Sequence, residues 1–233
     1  MAQDRVPTGI PGFDTLIKGG FVQNSVNLLT GGPGTGKTLF ALQFMYNKIK
    51  DGKNCLFITF EESLPGLFED ALDQGWEFQK YEREKKCMFI AFEPVSSPST
   101  FEHLTNIIKN GKISIVVIDS ISVMAMAFEN NYYKMRKELY NMCSLLKRLN
   151  CTAIFTAEIA GDAPLDISGG GGALSRDGII EFIADSVVTM HNSGIGGESD
   201  RAIRVLKMRR TQHVKGPVPM SITDKGIKVE KAG

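Results

Sequence analysis

The chain has 233 residues, of which 42% are apolar, and its formal net charge is +1. This composition supports a substantial core in one large domain or two small ones, and it excludes an intrinsically disordered chain. The balanced charge gives no argument for a nucleic-acid-binding tail or an anionic membrane patch, and no apolar run approaches the ~20 residues that span a bilayer.

The amino terminus and the cysteines indicate a cytoplasmic protein. Residues 1–10 lack the apolar segment of a signal peptide. The cysteines form no C-x-x-C pair, and Cys55, Cys87 and Cys151 begin apolar runs, which is typical of buried free thiols in a reducing compartment.

Short apolar runs alternate with helical patterns along most of the chain. We predict strands at 25–31, 55–60, 87–92, 113–119, 152–156, 186–190 and 202–208. Apolar spacing predicts a helix over 135–149, and Pro65 with a Ser63 cap predicts another. Strands that are apolar throughout, alternating with helices, predict an α/β fold with a mostly parallel sheet covered on both faces. After residue 186 the helices stop, and a turn at Thr223–Gly226 predicts an antiparallel extension.

A glycine-rich motif lies between the first strand and a following helix. Residues 31–38 read GGPGTGKT and fit G-x-x-x-x-G-K-[ST], in which backbone N–H groups and a helix N-terminus hold phosphates. Lys37 is predicted to reach the β- and γ-phosphates of a nucleotide, and the Thr38 hydroxyl to hold Mg²⁺. The alternative is a glycine turn that binds nothing. The predicted nucleotide-binding residues here are Gly31, Gly34, Thr35, Gly36, Lys37, Thr38 and Leu39.

Two glutamates follow the second predicted strand. A carboxylate beside Mg²⁺ and phosphate can activate the attacking water. Because neighbouring residues of a strand point in opposite directions, we expect at most one of Glu61 and Glu62 to face the γ-phosphate. The alternative is that both complement the positive start of the next helix.

An aspartate ends the apolar run IVVIDS, residues 115–120. Asp119 is predicted to lie at the carboxyl edge of the sheet, where ligands bind in open α/β folds, and to hold Mg²⁺ through water. The alternative is a cap on the next turn, made together with Ser120.

A basic segment, LKMRRTQH, occupies residues 206–213. If it is a strand, alternate residues share a face, and we expect one row that faces an anion: Lys207, Arg209, Thr211 and His213. The alternative is a solvated basic edge strand, which discourages edge-to-edge pairing.

These motifs resemble, in order, those of the KaiC family of RecA-like ATPases. The segments that carry the likeness are TGIPGFDTLIKGGF (8–21), GGPGTGKT (31–38), FITFEES (57–63), Gly75-Trp76, SRDGIIEFIADSVV (175–188), LKMRRTQH (206–213) and ITDKGIKV (222–229). The resemblance, to a single-domain KaiC-like protein of archaeal type, implies one RecA-like domain over residues 1–233, ATP with Mg²⁺, and a ring that is usually a hexamer.

The resemblance also implies roles for particular residues. Glu61 would be the base rather than Glu62. Lys207 and Arg209 would reach the phosphates bound by the neighbouring subunit, with Thr211 and His213 nearby. Thr223 and Asp224 would approach the neighbour's nucleoside.

The leading hypothesis is a Mg²⁺-dependent ATPase of slow turnover, in which ATP hydrolysis changes the conformation of the ring. An ATP-binding scaffold or switch for an unidentified protein partner is a second hypothesis, and a recombinase relative that modulates DNA repair is a third. The net charge of +1 favours weak or absent DNA binding. The clock protein of the family carries two such domains, so a clock role does not follow, and neither does autophosphorylation. The stretch SGGGGALS (168–175) is expected to be disordered without a function. The alternative is a loop that contacts DNA or a partner.

Overall fold

A computed structural model describes residues 4–92, 98–126, 128, 131–159, 178–194 and 200–230. Its strands are β1 (Arg5–Val6), β2 (Phe21–Val22), β3 (Val26–Gly31), β4 (Cys55–Thr59), β5 (Cys87–Ala91), β6 (Ile115–Asp119), β7 (Thr152–Glu158), β8 (Ser186–Asn192), β9 (Arg201–Met208), β10 (Val218–Thr223) and β11 (Gly226–Val229). Its helices are α1 (Phe13–Leu16), α2 (Lys37–Lys50), α3 (Leu64–Asp73), α4 (Phe78–Arg83), α5 (Pro98–Asn110), α6 (Ile121–Met126), α7 (Tyr132–Arg148) and α8 (Ile180–Ile183).

The large sheet has the strand order β11-β10-β9-β8-β3-β7-β6-β4-β5. The strands from β8 to β5 run parallel to one another. β9, β10 and β11 continue the sheet in antiparallel fashion. The predicted α/β fold with a parallel sheet and an antiparallel extension is therefore confirmed. β8 is the last parallel strand, since it pairs with β3 as well as with β9.

Side chains of the parallel strands alternate between two apolar cores. Along β4, Cys55 and Phe57 pack on one face with α2, α3 and α4, whereas Leu56 and Ile58 pack on the other with α5 and α7. Both faces of the sheet are therefore covered, which explains why the strands read as continuous apolar runs. No helix in the described ranges is both long and apolar enough to cross a bilayer.

The two predicted helices are confirmed, with one difference in extent. α3 begins after Ser63, whose hydroxyl accepts a hydrogen bond from the Gly66 N–H at 3.3 Å, and Pro65 lies in the first turn. α7 begins three residues earlier than expected, because the Asn131 side chain accepts a hydrogen bond from the Lys134 N–H at 3.0 Å and caps the helix.

Candidate functional site

The loop between β3 and α2 requires glycine at two positions. A Cβ on Gly31 would stand 2.4 Å from the carbonyl oxygen of Met190 on β8. Gly36 precedes the first residue of α2 with a φ of 95°, which side chains disfavour. The chain can therefore turn tightly from the buried end of β3 into the N-terminus of α2, a position that favours anions.

The other predicted residues of the loop lie between Gly31 and Gly36 or in the first turn of α2. Gly34 has a φ of 68°, and the Thr35 hydroxyl donates to the Gly32 carbonyl at 2.9 Å, which braces the loop. Leu39 lies in the first turn of α2 and is half-buried.

The side chain of Lys37 points back into the phosphate loop, which precedes Lys37 in the chain. Its Nζ donates to the carbonyl oxygens of Gly31 at 3.0 Å and of Gly32 at 2.9 Å. Burial lowers the pKa of Lys37, and the nearby carboxylates of Glu158, Asp119 and Glu61 oppose that effect. The ammonium is thus held at the phosphate loop among several negative charges.

Asp119 ends β6 at the carboxyl edge of the sheet, as predicted, and it faces the phosphate loop. Its carboxylate accepts a hydrogen bond from the Thr38 hydroxyl at 2.8 Å and another from the Thr156 hydroxyl of β7. Burial raises the pKa of Asp119, and the two hydroxyls and Lys37 oppose that effect. The carboxylate therefore contacts Thr38 and Thr156 rather than the next turn.

Thr38 and Asp119 supply the oxygen donors that Mg²⁺ prefers. Within the described ranges, no group of three or more His, Cys, Asp or Glu side chains could hold a metal ion. A Mg²⁺ ion at Thr38 and Asp119 would therefore take its remaining ligands from phosphate and water, as it does in many nucleotide sites.

The alternation argument for Glu61 and Glu62 is wrong, because β4 ends at Thr59 and both glutamates follow the strand. Their backbone N–H groups donate to the Thr59 hydroxyl at 3.3 and 3.0 Å, which folds the segment into a turn. The Ser120 hydroxyl donates to the Glu61 carboxylate, so Glu61 lies beside the residue that follows Asp119. The first turn of α3, which is described throughout, has no acidic residue.

Glu62 is half-buried and lies near other carboxylates. Burial, with the negative charges of Asp119, Asp70 and Glu61, raises the pKa of Glu62 from 4.5 to about 7. Its protonated form is thus favoured in the folded chain well above the pH at which an ordinary glutamate ionises.

Glu62→Gln is expected to stabilise the fold at high pH and to have little effect at low pH. The folded pKa is raised, so the cost of ionising Glu62 is absent below 4.5 and appears as the pH rises towards about 7. Because the side chain is half-exposed, we expect a gain of roughly 1 kcal/mol above pH 7 after solvent screening. Urea unfolding at about pH 5 and about pH 8 would measure it, with the exposed Glu69→Gln as control. Equal effects of Glu62→Gln at both pH values would contradict the assignment.

The prediction that one strand face carries Lys207, Arg209, Thr211 and His213 is wrong. β9 ends at Met208, because its partner β8 begins at Ser186 directly opposite. Arg210 then adopts a left-handed φ of 57° and turns the chain, so residues beyond it no longer alternate with those of the strand.

The four residues of that row have separate environments. The Thr211 hydroxyl accepts from Arg5 Nη2 at 2.9 Å, and His213 Nδ1 lies 3.0 Å from the Val214 carbonyl. Lys207 Nζ donates to the carbonyls of Glu181 and Ala184 at 2.9 and 2.8 Å, and Arg209 Nη2 donates to the Phe182 carbonyl at 2.9 Å. Only Lys207 and Arg209 therefore lie together, at α8.

Lys207 and Arg209 are at the opposite end of the parallel strands from their own phosphate loop. Lys207 pairs with Val187, which pairs with Leu28, and the loop follows Gly31 at the other end of β3. Leu28 and Gly31 are three strand residues apart, so Lys207 lies ~10 Å along the strand direction from the start of the loop. Arg209 lies farther still. Neither cation is placed to reach a phosphate held by its own loop.

Arg209 lines a surface groove of about 630 Å³ between α7 and α8. Three exposed aromatic side chains also line it: Tyr133 (80% exposed), Tyr140 (61%) and Phe182 (65%). Arg136 and Lys137 add positive charge, whereas Lys147 is paired with Asp185 at 2.6 Å. Exposed aromatic residues rimmed by polar ones are typical of interaction surfaces.

The Thr223–Gly226 turn lies beside the phosphate loop of its own chain. Ile222 Cδ1 stands 3.0 Å from where a Cβ on Gly36 would lie. The Gln43 side chain of α2 bonds to both the carbonyl and the N–H of Ile227, at 3.1 and 2.6 Å. Thr223 and Asp224 are exposed at the tip of this anchored hairpin, and their placement favours the chain's own nucleotide over the neighbour's.

One carboxylate of the site is not among the residues predicted from the sequence. Glu158 ends β7 opposite Gly31 of β3, and it is the carboxylate that most strongly opposes the lowering of the Lys37 pKa. Its place after an apolar strand is the same signal that identified Asp119. The glycine-rich stretch 168–175, in contrast, lies outside the described residues.

Comparison with known proteins gives a consistent result. A family profile described as "ATPase: KaiC" matches residues 6–233. The circadian clock protein KaiC3 of Synechocystis sp. is 33% identical over 95% of this chain and 44% of its own length. The circadian clock oscillator protein KaiC of Prochlorococcus marinus is 31% identical over all of this chain and 46% of its own length. The chain thus spans about half the length of the curated relatives it matches.

A solved structure is similar over its whole length. The KaiC-like protein PH0186 from the hyperthermophile Pyrococcus horikoshii OT3 is 36% identical, covers 98% of this chain and 100% of its own, and superposes with a TM-score of 0.85.

Proposed function

The chain belongs to the KaiC family of ATPases, and we propose that it binds ATP with Mg²⁺ and hydrolyses it slowly in a ring whose adjacent subunits share each active site. The proposal treats residues 1–233 as one RecA-like domain. The observation that carries it is the hydrogen bond between Thr38 and Asp119, 2.8 Å long, directly behind the glycine loop. This bond brings the phosphate loop into contact with Asp119, the carboxylate proposed to hold the metal, although Thr38 and Asp119 are 81 residues apart in the chain.

The residues of this site have different roles in hydrolysis. Loop N–H groups and Lys37 bind the phosphates, and the hairpin tip at Thr223 and Asp224 borders the nucleoside. Thr38 and Asp119 would hold Mg²⁺, which neutralises charge on the phosphate oxygens when bound. Glu61 orients the attacking water and takes its proton, and the Ser120 hydroxyl fixes the Glu61 carboxylate.

The second half of each site comes from the neighbouring subunit. Lys207 and Arg209 lie at the end of the sheet away from their own loop, so a head-to-tail arrangement would bring them to the loop of the next chain. The groove at Arg209 supports this arrangement, because its cations complement the carboxylates of Glu61, Asp119 and Glu158 around Lys37. We propose a hexamer, with Thr211 and His213 of the same segment near the shared nucleotide.

The cellular location and the protein partner are also part of the proposal. All four cysteines are free and buried, which supports a cytoplasmic protein. We propose that an unidentified protein partner responds to the ring. The clock role named for the relatives belongs to proteins about twice as long and is not part of the proposal.

Calorimetry with ATP tests the function directly. We expect ATP to bind in the presence of Mg²⁺, to bind at least about tenfold more weakly after chelation, and to lose measurable binding in Lys37→Ala. The matched control is Lys53→Ala, since Lys53 is exposed beyond the end of α2. Unchanged affinity in Lys37→Ala would contradict the proposal.

A further inference from the structure

Glu158 is fixed at the border of the phosphate loop by contacts on both sides. It pairs with Gly31 in the β3–β7 register, and the N–H of the next residue, Ile159, donates to the Gly31 carbonyl at 3.4 Å. Its own N–H donates to the Ser122 hydroxyl at 2.9 Å. The backbone position of Glu158 is therefore set by the same strand end that begins the loop.

The side chain of Glu158 lies on the face of β7 that serves the site. Alternate residues of a strand share a face, and two residues earlier the Thr156 hydroxyl donates to Asp119, which also accepts from Thr38. Glu158 is thus on the same face, ~7 Å nearer the carboxyl edge. It is half-buried, and no residue in the described ranges donates a hydrogen bond to its carboxylate.

The charge of Glu158 acts on Lys37. Among the three carboxylates that favour the charged form of Lys37, Glu158 has the largest effect, ahead of Asp119 and Glu61. Asp119 is engaged by two threonine hydroxyls and Glu61 by Ser120. Glu158 is therefore the counter-charge of Lys37 that has no such donor among the described residues.

We propose that Glu158 is a positioning residue that sets the preference between ATP and ADP. Without nucleotide, its carboxylate attracts the Lys37 ammonium. With ATP, it repels the terminal phosphate, which Lys37 also contacts. Both effects weaken ATP binding, and the second is largely absent for ADP, so Glu158 limits how strongly the site favours the triphosphate. This inference rests on the proposed function.

A purely structural role predicts the opposite sign. If Glu158 only supported the end of β7, its replacement would weaken binding of both nucleotides or destabilise the fold. A variant that binds ATP more tightly than the wild type cannot be explained by damage to the site.

The test is a titration of wild type and variants with ADP and with a non-hydrolysable ATP analogue, both with Mg²⁺. In Glu158→Gln we expect the affinity for the analogue to rise about five- to tenfold and that for ADP to change less than about twofold. Glu158→Asp keeps the charge and should resemble the wild type. Glu77→Gln, an exposed carboxylate between α3 and α4, is the matched control for loss of one charge.

The outcomes separate the two proposals. An unchanged or lower preference for the analogue in Glu158→Gln, with normal binding by the wild type, would overturn this inference alone. A wild type that binds neither nucleotide would overturn the proposed function and this inference with it.

Discussion

Glu61→Gln is expected to slow ATP hydrolysis by at least about a hundredfold while ATP still binds. Glutamine keeps the size of the side chain and an oxygen that can accept from the Ser120 hydroxyl. It lacks the negative charge that draws a proton from the attacking water. Turnover and calorimetry on the same preparation would separate the loss of chemistry from a loss of binding.

Glu62→Gln is the matched comparison for this experiment. Since the pKa of Glu62 is raised to about 7, a fraction of the wild type already carries this residue protonated near neutral pH, and its replacement should be milder. Wild-type turnover in both single variants would contradict a role for either glutamate in activating water.

Arg209→Ala is expected to slow hydrolysis by ~10³–10⁵, the effect typical of an arginine supplied to a phosphoryl-transfer site. Among the described residues, the Arg209 guanidinium donates to the Phe182 carbonyl of α8, and its position is exposed. Its removal should therefore leave the thermal unfolding temperature and the phosphate loop almost unchanged. Rates at saturating ATP, with unfolding measured in parallel, give the comparison.

The neighbouring Arg210→Ala is the control for Arg209→Ala. Arg210 is also exposed and carries the same charge, but it lies at the turn that follows β9. Equal losses of activity in the two variants would indicate a general effect of positive charge or of the turn.

Much of the fold could be predicted from local patterns. Runs such as 115–119 are buried on both faces, and only a covered parallel sheet makes a strand apolar throughout. The phosphate loop is equally clear, because its glycines, Lys37 and Thr38 all lie within residues 31–38. Their spacing follows from the backbone geometry that the loop requires.

The prediction for the segment 206–213 is wrong because the end of a strand depends on its partner strand. Nothing in the residues themselves stops the alternation at Met208. The strand ends there because β8 begins opposite at Ser186, and a register shift between Val187 and Val188 already disturbs the pairing. Both features belong to a contact between two distant segments.

Glu158 was missed for a related reason. The sequence shows a glutamate after an apolar run, but it does not give the order of strands in the sheet. Only the pairing of β7 with β3 places Glu158 opposite Gly31. The raised pKa of Glu62 likewise requires Asp119, Asp70 and Glu61 to converge from separate elements.

The central claim is that adjacent subunits share each ATP site, and mixing two inactive variants tests it most directly. Lys37→Ala lacks the phosphate-binding half of the site, and Arg209→Ala lacks the half given to the neighbour. Each variant alone should be inactive. Mixed as monomers in equal amounts and then assembled with ATP, they should form about a quarter of their interfaces with both halves intact, by counting for a head-to-tail ring.

Fluorescence transfer between the two labelled variants would verify that they enter the same rings. The account predicts that activity returns in proportion to the interfaces with both halves intact, to about a quarter of the wild-type rate at equal ratio. Mixed rings that form and remain as inactive as either parent would contradict it, because Arg209 would then not contribute to the site of a neighbouring subunit.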